Sequence, residues 1–201
     1  MNRKHFLLGL IGLIVFLFFL AGCAQVELAI RVNADATIPK ARIAVLVNDY
    51  TVFTQLRGVA VSEYKKLPPE EQKYVEVQMK QDAPPYAVAW VWSFDDQAKA
   101  QEFTKQFLGS AANLSKDQDL VILRASLQGS ELEEALNKMG ALKAKPFLNS
   151  IYLTLKAYMP GDILSYLEGE VEGKVWSQEF NLGKVYREKP TVDIEVIAKE
   201  Q

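Results

Sequence analysis

Alternating apolar and polar positions run through most of the chain and predict a fold rich in β-strands. Apolar side chains occupy every second position in residues 26–32 and again in residues 43–47, and a period of two is typical of a half-buried strand. The turn-like sequence Asn33-Ala34-Asp35-Ala36 separates the two segments. They are therefore predicted to form an N-terminal hairpin.

Six further segments have the alternation or the composition of strands. In the fourth predicted strand, four aromatic residues fall on one face. The polar stretch 110–118 lacks any such pattern and is predicted to be a loop. The six segments are residues 75–80, 86–94, 120–127, 147–159, 174–180 and 191–198.

Three segments have the spacing of amphipathic helices. The first starts at Asn48-Asp49, continues to residue 67, and is ended by Pro68-Pro69, which cannot supply the amide hydrogens a helix needs. The other two are predicted from capping boxes and closing glycines. These are Ser93 with Asp96, closed by Gly109, and Ser130 with Glu133, closed by Gly140.

The order of these elements predicts an α+β fold. Connections of hairpin length and the absence of a regular βαβ alternation favour a largely antiparallel sheet of about eight strands. About three helices are expected to pack on one face of that sheet. We expect residues 23–201 to form a single domain, since this length is enough for one hydrophobic core.

Residues 1–22 have the three parts of a lipoprotein signal peptide. Two basic residues precede an uncharged apolar run, which ends in Leu20-Ala21-Gly22-Cys23. This tetrapeptide resembles the lipobox of bacterial lipoproteins and predicts cleavage between Gly22 and Cys23. An uncleaved transmembrane anchor is the alternative, but the apolar run of residues 6–21 is shorter than the roughly 20 residues of a spanning helix.

Resemblance to lipoproteins implies a diacylglyceryl group on Cys23 and usually an additional acyl chain such as palmitate. Two or more chains give stable membrane anchoring where one does not. The domain is thus expected on the extracytoplasmic face of a bacterial cell membrane. Ala24 also allows the outer membrane if the host has two membranes, since an Asp there would favour retention in the inner one.

Composition excludes several classes of function for the mature chain. Without Arg3 and Lys4 of the leader, 21 of the 23 basic residues remain against 25 acidic ones, a net charge of −4. Nucleic-acid binding is therefore not expected. The only histidine is His5, and the only cysteine is Cys23. Ser-His-Asp or Cys-His catalysis and His- or Cys-based zinc sites are thus absent, and no catalytic residue, metal or cofactor is predicted.

The C-terminal third resembles a known family. The run Met159-Pro160-Gly161-Asp162-Ile163, followed by Gly169, Gly173 and Trp176, is similar to the LppM-type lipoprotein domain, a family of unknown function. The resemblance implies a β-hairpin directly after the lipidated cysteine and covers most of the mature chain. From the residues alone, Pro160 and Gly161 are expected to form a turn and Trp176 to pack in the core.

The aromatic face of the fourth strand is the candidate ligand site. It consists of Tyr86, Trp90, Trp92 and Phe94. These side chains either line a pocket for an apolar ligand or pack as ordinary core. The first hypothesis is a non-catalytic, lipid-anchored envelope domain that binds an apolar or amphipathic ligand such as a lipid or glycolipid. The second is a protein-interaction module with a filled core, whose partner the sequence does not name; an enzyme ranks third.

Overall fold

The structure is a computed structural model that describes residues 24–131 and 148–200. The leader, the cleavage site between Gly22 and Cys23, and the lipidation site Cys23 lie outside these residues. Most of the helix predicted from Ser130 to Gly140 lies outside them as well.

The described residues form eleven strands and four helices. The strands are β1 (Ala24–Arg31), β2 (Lys40–Val47), β3 (Val75–Lys80), β4 (Tyr86–Ser93), β5 (Asn113–Asp117), β6 (Leu120–Gln128), β7 (Ile151–Tyr158), β8 (Ile163–Tyr166), β9 (Glu170–Glu172), β10 (Val175–Asn181) and β11 (Thr191–Lys199). The helices are α1 (Tyr50–Lys66), α2 (Pro69–Gln72), α3 (Gln97–Leu108) and α4 (Leu182–Glu188). The predicted α+β class is confirmed.

The predicted N-terminal hairpin lies at the centre of a seven-stranded sheet. Its strand order is β3-β4-β2-β1-β7-β10-β9, with β1 parallel to β7 and the other pairs antiparallel. In the hairpin, Ala24 pairs with Val47 and Arg31 pairs with Lys40. Ala36 takes a left-handed φ of 58° in the turn. The strand that follows Cys23 is therefore the middle strand of the larger sheet.

A second, four-stranded sheet corrects the expectation of a single sheet of about eight strands. Its order is β5-β6-β11-β8, all antiparallel. Residues 110–118, predicted to be a loop, contain β5, which pairs with β6 around the two-residue turn Gln118-Asp119. As an edge strand, β5 has largely exposed side chains, so it lacks the apolar alternation from which strands are predicted.

The helix starts are partly as predicted. Asp49 caps α1, since its carboxylate accepts a hydrogen bond of 2.9 Å from the Val52 amide. The predicted capping box at Ser93 is wrong, because Ser93 ends β4 and α3 is capped by Asp96 alone, which accepts from the Ala98 amide at 2.9 Å. Helix α4 was not predicted, because its seven residues are too few to show a helical period.

The core lies on one face of the seven-stranded sheet. Helix α1 packs on β2, β3 and β4, and Phe103 of α3 contacts Trp92 on the same face, so the prediction that helices pack on one face is confirmed for these two. The four-stranded sheet adds Leu123 and Val196 to the same core. The opposite face of the seven-stranded sheet is called the outer face below.

The run that resembles the LppM-type domain forms strands and turns. Trp176 is buried, and its indole Nε1 donates a hydrogen bond of 2.6 Å to the backbone oxygen of Glu168. Gly169 has a φ of 97°, and a Cβ there would lie 2.4 Å from the Ser177 oxygen. Pro160 lies two residues after the end of β7. The structural roles expected for Pro160 and Trp176 are consistent with these positions.

Candidate functional site

The four aromatic residues predicted to line a ligand pocket lie between the seven-stranded sheet and helices α1 and α3. Trp90 and Trp92 are only 1% and 8% exposed. Tyr86 contacts α1, and Trp92 and Phe94 contact α3. The ring pairs are Tyr86–Phe53 with centroids 5.6 Å apart, Trp92–Phe103 at 5.1 Å, and Phe94–Phe103 at 5.4 Å.

One interior cavity bordered by described residues is small and does not reach these aromatic residues. Between the two sheets, the described side chains of Phe103, Leu123 and Trp176 border a cavity of about 10 Å³. Such a volume is near the minimum for a single water molecule. None of the four predicted pocket residues borders it. This cavity has no room for an acyl chain.

A larger concave surface lies on the outer face, at the end of the strands where β1 finishes and β2 begins. It is an open groove of about 690 Å³. Because side chains alternate along a strand, Ala29 and Arg31 of β1 point to the outer face while Leu28 and Ile30 point to the core. We refer to it as the groove; the lining residues that matter below are Ala29, Arg31, Lys40, Val91, Tyr158 and Lys174.

The groove combines an apolar floor with a basic rim. Ala29, Val91 and the ring of Tyr158 provide apolar surface. Four of its fifteen lining residues are Lys or Arg and none is Asp or Glu, although the whole chain has a net charge of −2. The groove is therefore a local basic site on an acidic protein.

Register brings the cations together. Arg31 and Lys40 are direct partners in the antiparallel β1–β2 ladder, and like charges at such positions repel each other. Among the residues that the structure describes, neither has an ion-pair partner. Lys174, in the turn before β10, reaches the same groove, and its Nζ lies 3.4 Å from the Pro160 oxygen that accepts from it.

An ion cluster on the outer face includes Arg42, which lines the groove. The carboxylate of Glu27, which is 7% exposed, pairs with the Arg42 guanidinium on one side. On the other side, its second oxygen lies 2.7 Å from the Lys156 Nζ. The single negative charge of Glu27 therefore compensates the charge of only one of these two cations. Glu27 lies four residues before Arg31 along β1.

The groove was not predicted from the sequence because its strand residues look like the ordinary solvent-facing positions of alternating strands. The available signal was the position of Arg31 and Lys40 at the two ends of the predicted hairpin turn. Pairing the two strands would have placed them opposite each other. Val91, Tyr158 and Lys174 come from distant segments, and no local pattern joins them to the hairpin.

Two acidic residues that lie close to other acidic residues in the sequence, Asp96 and Asp119, have structural contacts. Asp96 caps α3, and Asp119 lies 3.4 Å from the Lys199 Nζ. Within residues 24–131 and 148–200, no three His, Cys, Asp or Glu side chains are grouped as a metal site would need. In the same residues, no helix has the length and apolar character to cross a membrane.

Among known proteins, a solved structure aligns with this chain over most of its length. No family model matches the chain, and no curated protein does. Among solved structures, the NMR structure of the folded domain of LppM from Mycobacterium tuberculosis is similar, with a TM-score of 0.47 and 14% sequence identity. The match covers 90% of this chain and 92% of that one.

Proposed function

We propose that the protein is a non-catalytic, lipid-anchored domain of the bacterial envelope that binds an amphipathic ligand, such as a lipid or glycolipid, in the groove on its outer face. The observation that carries the proposal is the groove itself. Its volume of about 690 Å³ falls in the range of roughly 300–1,000 Å³ that is typical of small-molecule sites.

The chemistry of the groove favours an amphipathic ligand over a purely apolar one. Apolar side chains on the floor suit a hydrocarbon segment, and the basic rim suits a polar head. The interior cavity of about 10 Å³ offers no comparable space for a buried apolar molecule. The proposed ligand site therefore differs from the aromatic face predicted at Tyr86, Trp90, Trp92 and Phe94.

The position of β1 supports the anchoring part of the proposal. The strand starts at Ala24, directly after Cys23, so a lipid on Cys23 would be joined to the central strand with almost no linker. The described core and both sheets lie within residues 24–200. We therefore expect a chain of residues 24–201 to keep the fold without the leader.

Native mass spectrometry of residues 24–201 tests ligand binding. The protein is mixed with a bacterial envelope lipid extract, and bound mass is compared with that of Val91→Trp, which fills the groove. Leu46→Trp is the matched control, since Leu46 is on the same face toward the other end of the strands. We expect bound lipid for the wild type and Leu46→Trp and its loss for Val91→Trp. A wild-type protein that gains no mass, or equal binding by all three, overturns the proposal.

The second candidate, a protein-interaction module, is favoured by a different surface. Edge strand β8 and the residue after it expose three large apolar side chains, Leu164, Tyr166 and Leu167, at 59%, 45% and 59%. Open edge strands with apolar side chains are suited to pairing with another chain. Cross-linking from position 164 in cells distinguishes the two functions: a protein adduct that persists in Val91→Trp favours this second candidate.

A further inference from the structure

We propose that Arg31 and Lys40, with Lys174 beside them, form a subsite for a phosphate group, so that the ligand of the groove is anionic. This inference rests on the proposed function and specifies the charge of its ligand. Its basis is the convergence of these cations on one concave surface whose lining contains no carboxylate.

The pairing of Arg31 with Lys40 is unfavourable without a counter-ion. Their backbones are held in register by the hairpin, so the strands cannot separate the two charges. Arg42, two residues further along β2, is already paired with Glu27. An anion bound between Arg31 and Lys40 removes a repulsion that the described residues leave uncompensated.

The residue types suit phosphate. An arginine guanidinium offers two parallel N–H donors to the oxygens of a phosphate, and a lysine adds a mobile point charge. Tyr158, the partner of Arg31 on the parallel strand β7, is part of the same groove and has an exposed ring. Its hydroxyl supplies a further polar contact to the oxygens of a phosphate or to the glycerol or sugar next to it.

The location of the subsite bears on how the ligand arrives. Arg31 lies seven residues along β1 from Ala24, about 23 Å at the rise of an extended strand. This distance exceeds the screening length of roughly 8 Å at physiological ionic strength. The field of the bilayer next to Cys23 is therefore weak at the groove if β1 stands away from the membrane. We therefore expect the groove to take up its ligand as a single molecule and not from within the bilayer.

A phosphate can belong to a lipid head or to a soluble phosphate ester, and binding measurements separate these sources. Isothermal titration calorimetry of residues 24–201 is carried out with three ligands: dihexanoyl phosphatidylglycerol, zwitterionic dihexanoyl phosphatidylcholine and glycerol 3-phosphate. Both lipids are used below their critical micelle concentrations. We expect the phosphatidylglycerol to bind most tightly and its affinity to fall as salt is raised.

Variants locate the phosphate. Arg31→Gln and Lys40→Gln should each weaken phosphatidylglycerol binding about tenfold, since each removes a charge-assisted hydrogen bond. Phosphatidylcholine binding should weaken less, because its choline cation already offsets the charge of its phosphate. Lys80→Gln is the control, because it makes the same change of charge on the same face, about 20 Å from Lys40 along the strands. Its affinity should equal that of the wild type.

The outcomes distinguish this inference from the proposed function. Unchanged affinity in Arg31→Gln and Lys40→Gln overturns the phosphate subsite while the groove remains a ligand site. Equal binding of the two lipids by the wild type overturns the preference for a ligand of net negative charge. Glycerol 3-phosphate binding as tightly as phosphatidylglycerol supports the subsite but overturns the amphipathic ligand. If none of the three ligands binds, the phosphate subsite is overturned. The lipid-extract experiment then tests separately whether the groove binds a ligand.

Discussion

Two buried tryptophans in one core have opposite hydrogen-bonding states. The Nε1 of Trp176 donates to the Glu168 oxygen at 2.6 Å, which ties β10 to the turn before β9. The Nε1 of Trp90 is buried without a hydrogen-bond partner among the described residues. A buried donor that lacks a partner loses its hydration at a cost of roughly 1–3 kcal/mol. Trp90 therefore contributes packing, and its indole nitrogen weakens the fold.

Replacing each tryptophan by phenylalanine tests this difference. Both changes remove a similar volume from the core, but only Trp176→Phe breaks a hydrogen bond and leaves the Glu168 oxygen without its donor. We expect Trp176→Phe to lower the free energy of unfolding by about 1–3 kcal/mol more than Trp90→Phe does. Urea denaturation of residues 24–201 measures both. An equal or larger loss in Trp90→Phe contradicts the assignment.

The turn of the first hairpin gives a prediction for pH. The Thr37 hydroxyl donates to the Asp35 carboxylate at 2.6 Å, and this hydrogen bond, with that of the Thr37 amide, holds the pKa of Asp35 below its ordinary value of 3.8. The lowered pKa stabilises the fold above the unfolded pKa, and this contribution is lost as the pH falls through the folded one. An NMR titration should show the lowered pKa, and Thr37→Val should move it back up. No change in Thr37→Val would refute the cause.

At the scale of elements, alternation predicted the longer strands, including edge strand β3, but missed three short edge strands. Alternation located β1, β2, β4 and β7, since each contributes every second side chain to the core. By contrast, β5, β8 and β9 have only five, four and three residues and lie at sheet edges, so they are too short to show a period of two. The division into two sheets depends on β11 pairing with β6 and β8, a non-local choice that no local pattern encodes.

Glycines in the β8–β10 segment separate the effects of backbone strain and steric clash. Gly169 and Gly173 both have positive φ, 97° and 59°. A Cβ added at Gly169 would lie 2.4 Å from the Ser177 oxygen, whereas one added at Gly173 would meet no atom within 4 Å. Gly173→Ala should destabilise by about 1 kcal/mol through strain alone. Gly169→Ala should cost clearly more, because the backbone of β10 must also move.

Gly58 provides the control of opposite sign. It lies inside α1, and a Cβ there meets no atom within 4 Å. Gly58→Ala is therefore expected to stabilise the fold by about 0.5–1 kcal/mol through the helix propensity of alanine. Thermal unfolding of the three variants ranks them. A Gly169→Ala variant as stable as Gly173→Ala would show that the turn before β9 moves away from β10 without an energetic cost.

At the scale of the whole molecule, β1 links the proposed anchor to the groove. It starts next to Cys23, passes through the middle of the larger sheet, and ends at Arg31 on the rim of the groove. The sequence was sufficient to predict the strand and its closeness to the lipobox. The groove also requires Val91, Tyr158 and Lys174, which only the assembled sheet brings near Arg31.

The anchor itself is tested in cells. Cys23→Ser removes the sulfur that would carry the diacylglyceryl group, so this variant should leave the membrane fraction or accumulate with its leader uncleaved. Ala24→Ser, which keeps the lipobox cysteine, should fractionate with the wild type. Fractionation followed by mass spectrometry of the N-terminal peptide gives both results. Normal processing and membrane retention of Cys23→Ser would show that Cys23 carries no anchor.

The central claim, that the groove and not the aromatic core is the ligand site, is tested most directly by NMR. Isotope-labelled residues 24–201 are titrated with dihexanoyl phosphatidylglycerol, and the amide shift changes are mapped onto the fold. We predict the largest changes at Ala29, Arg31, Lys40 and Val91, with little change on α1. Changes concentrated around Trp90 and the α1 residues that cover it, or no saturable change at all, would contradict the claim.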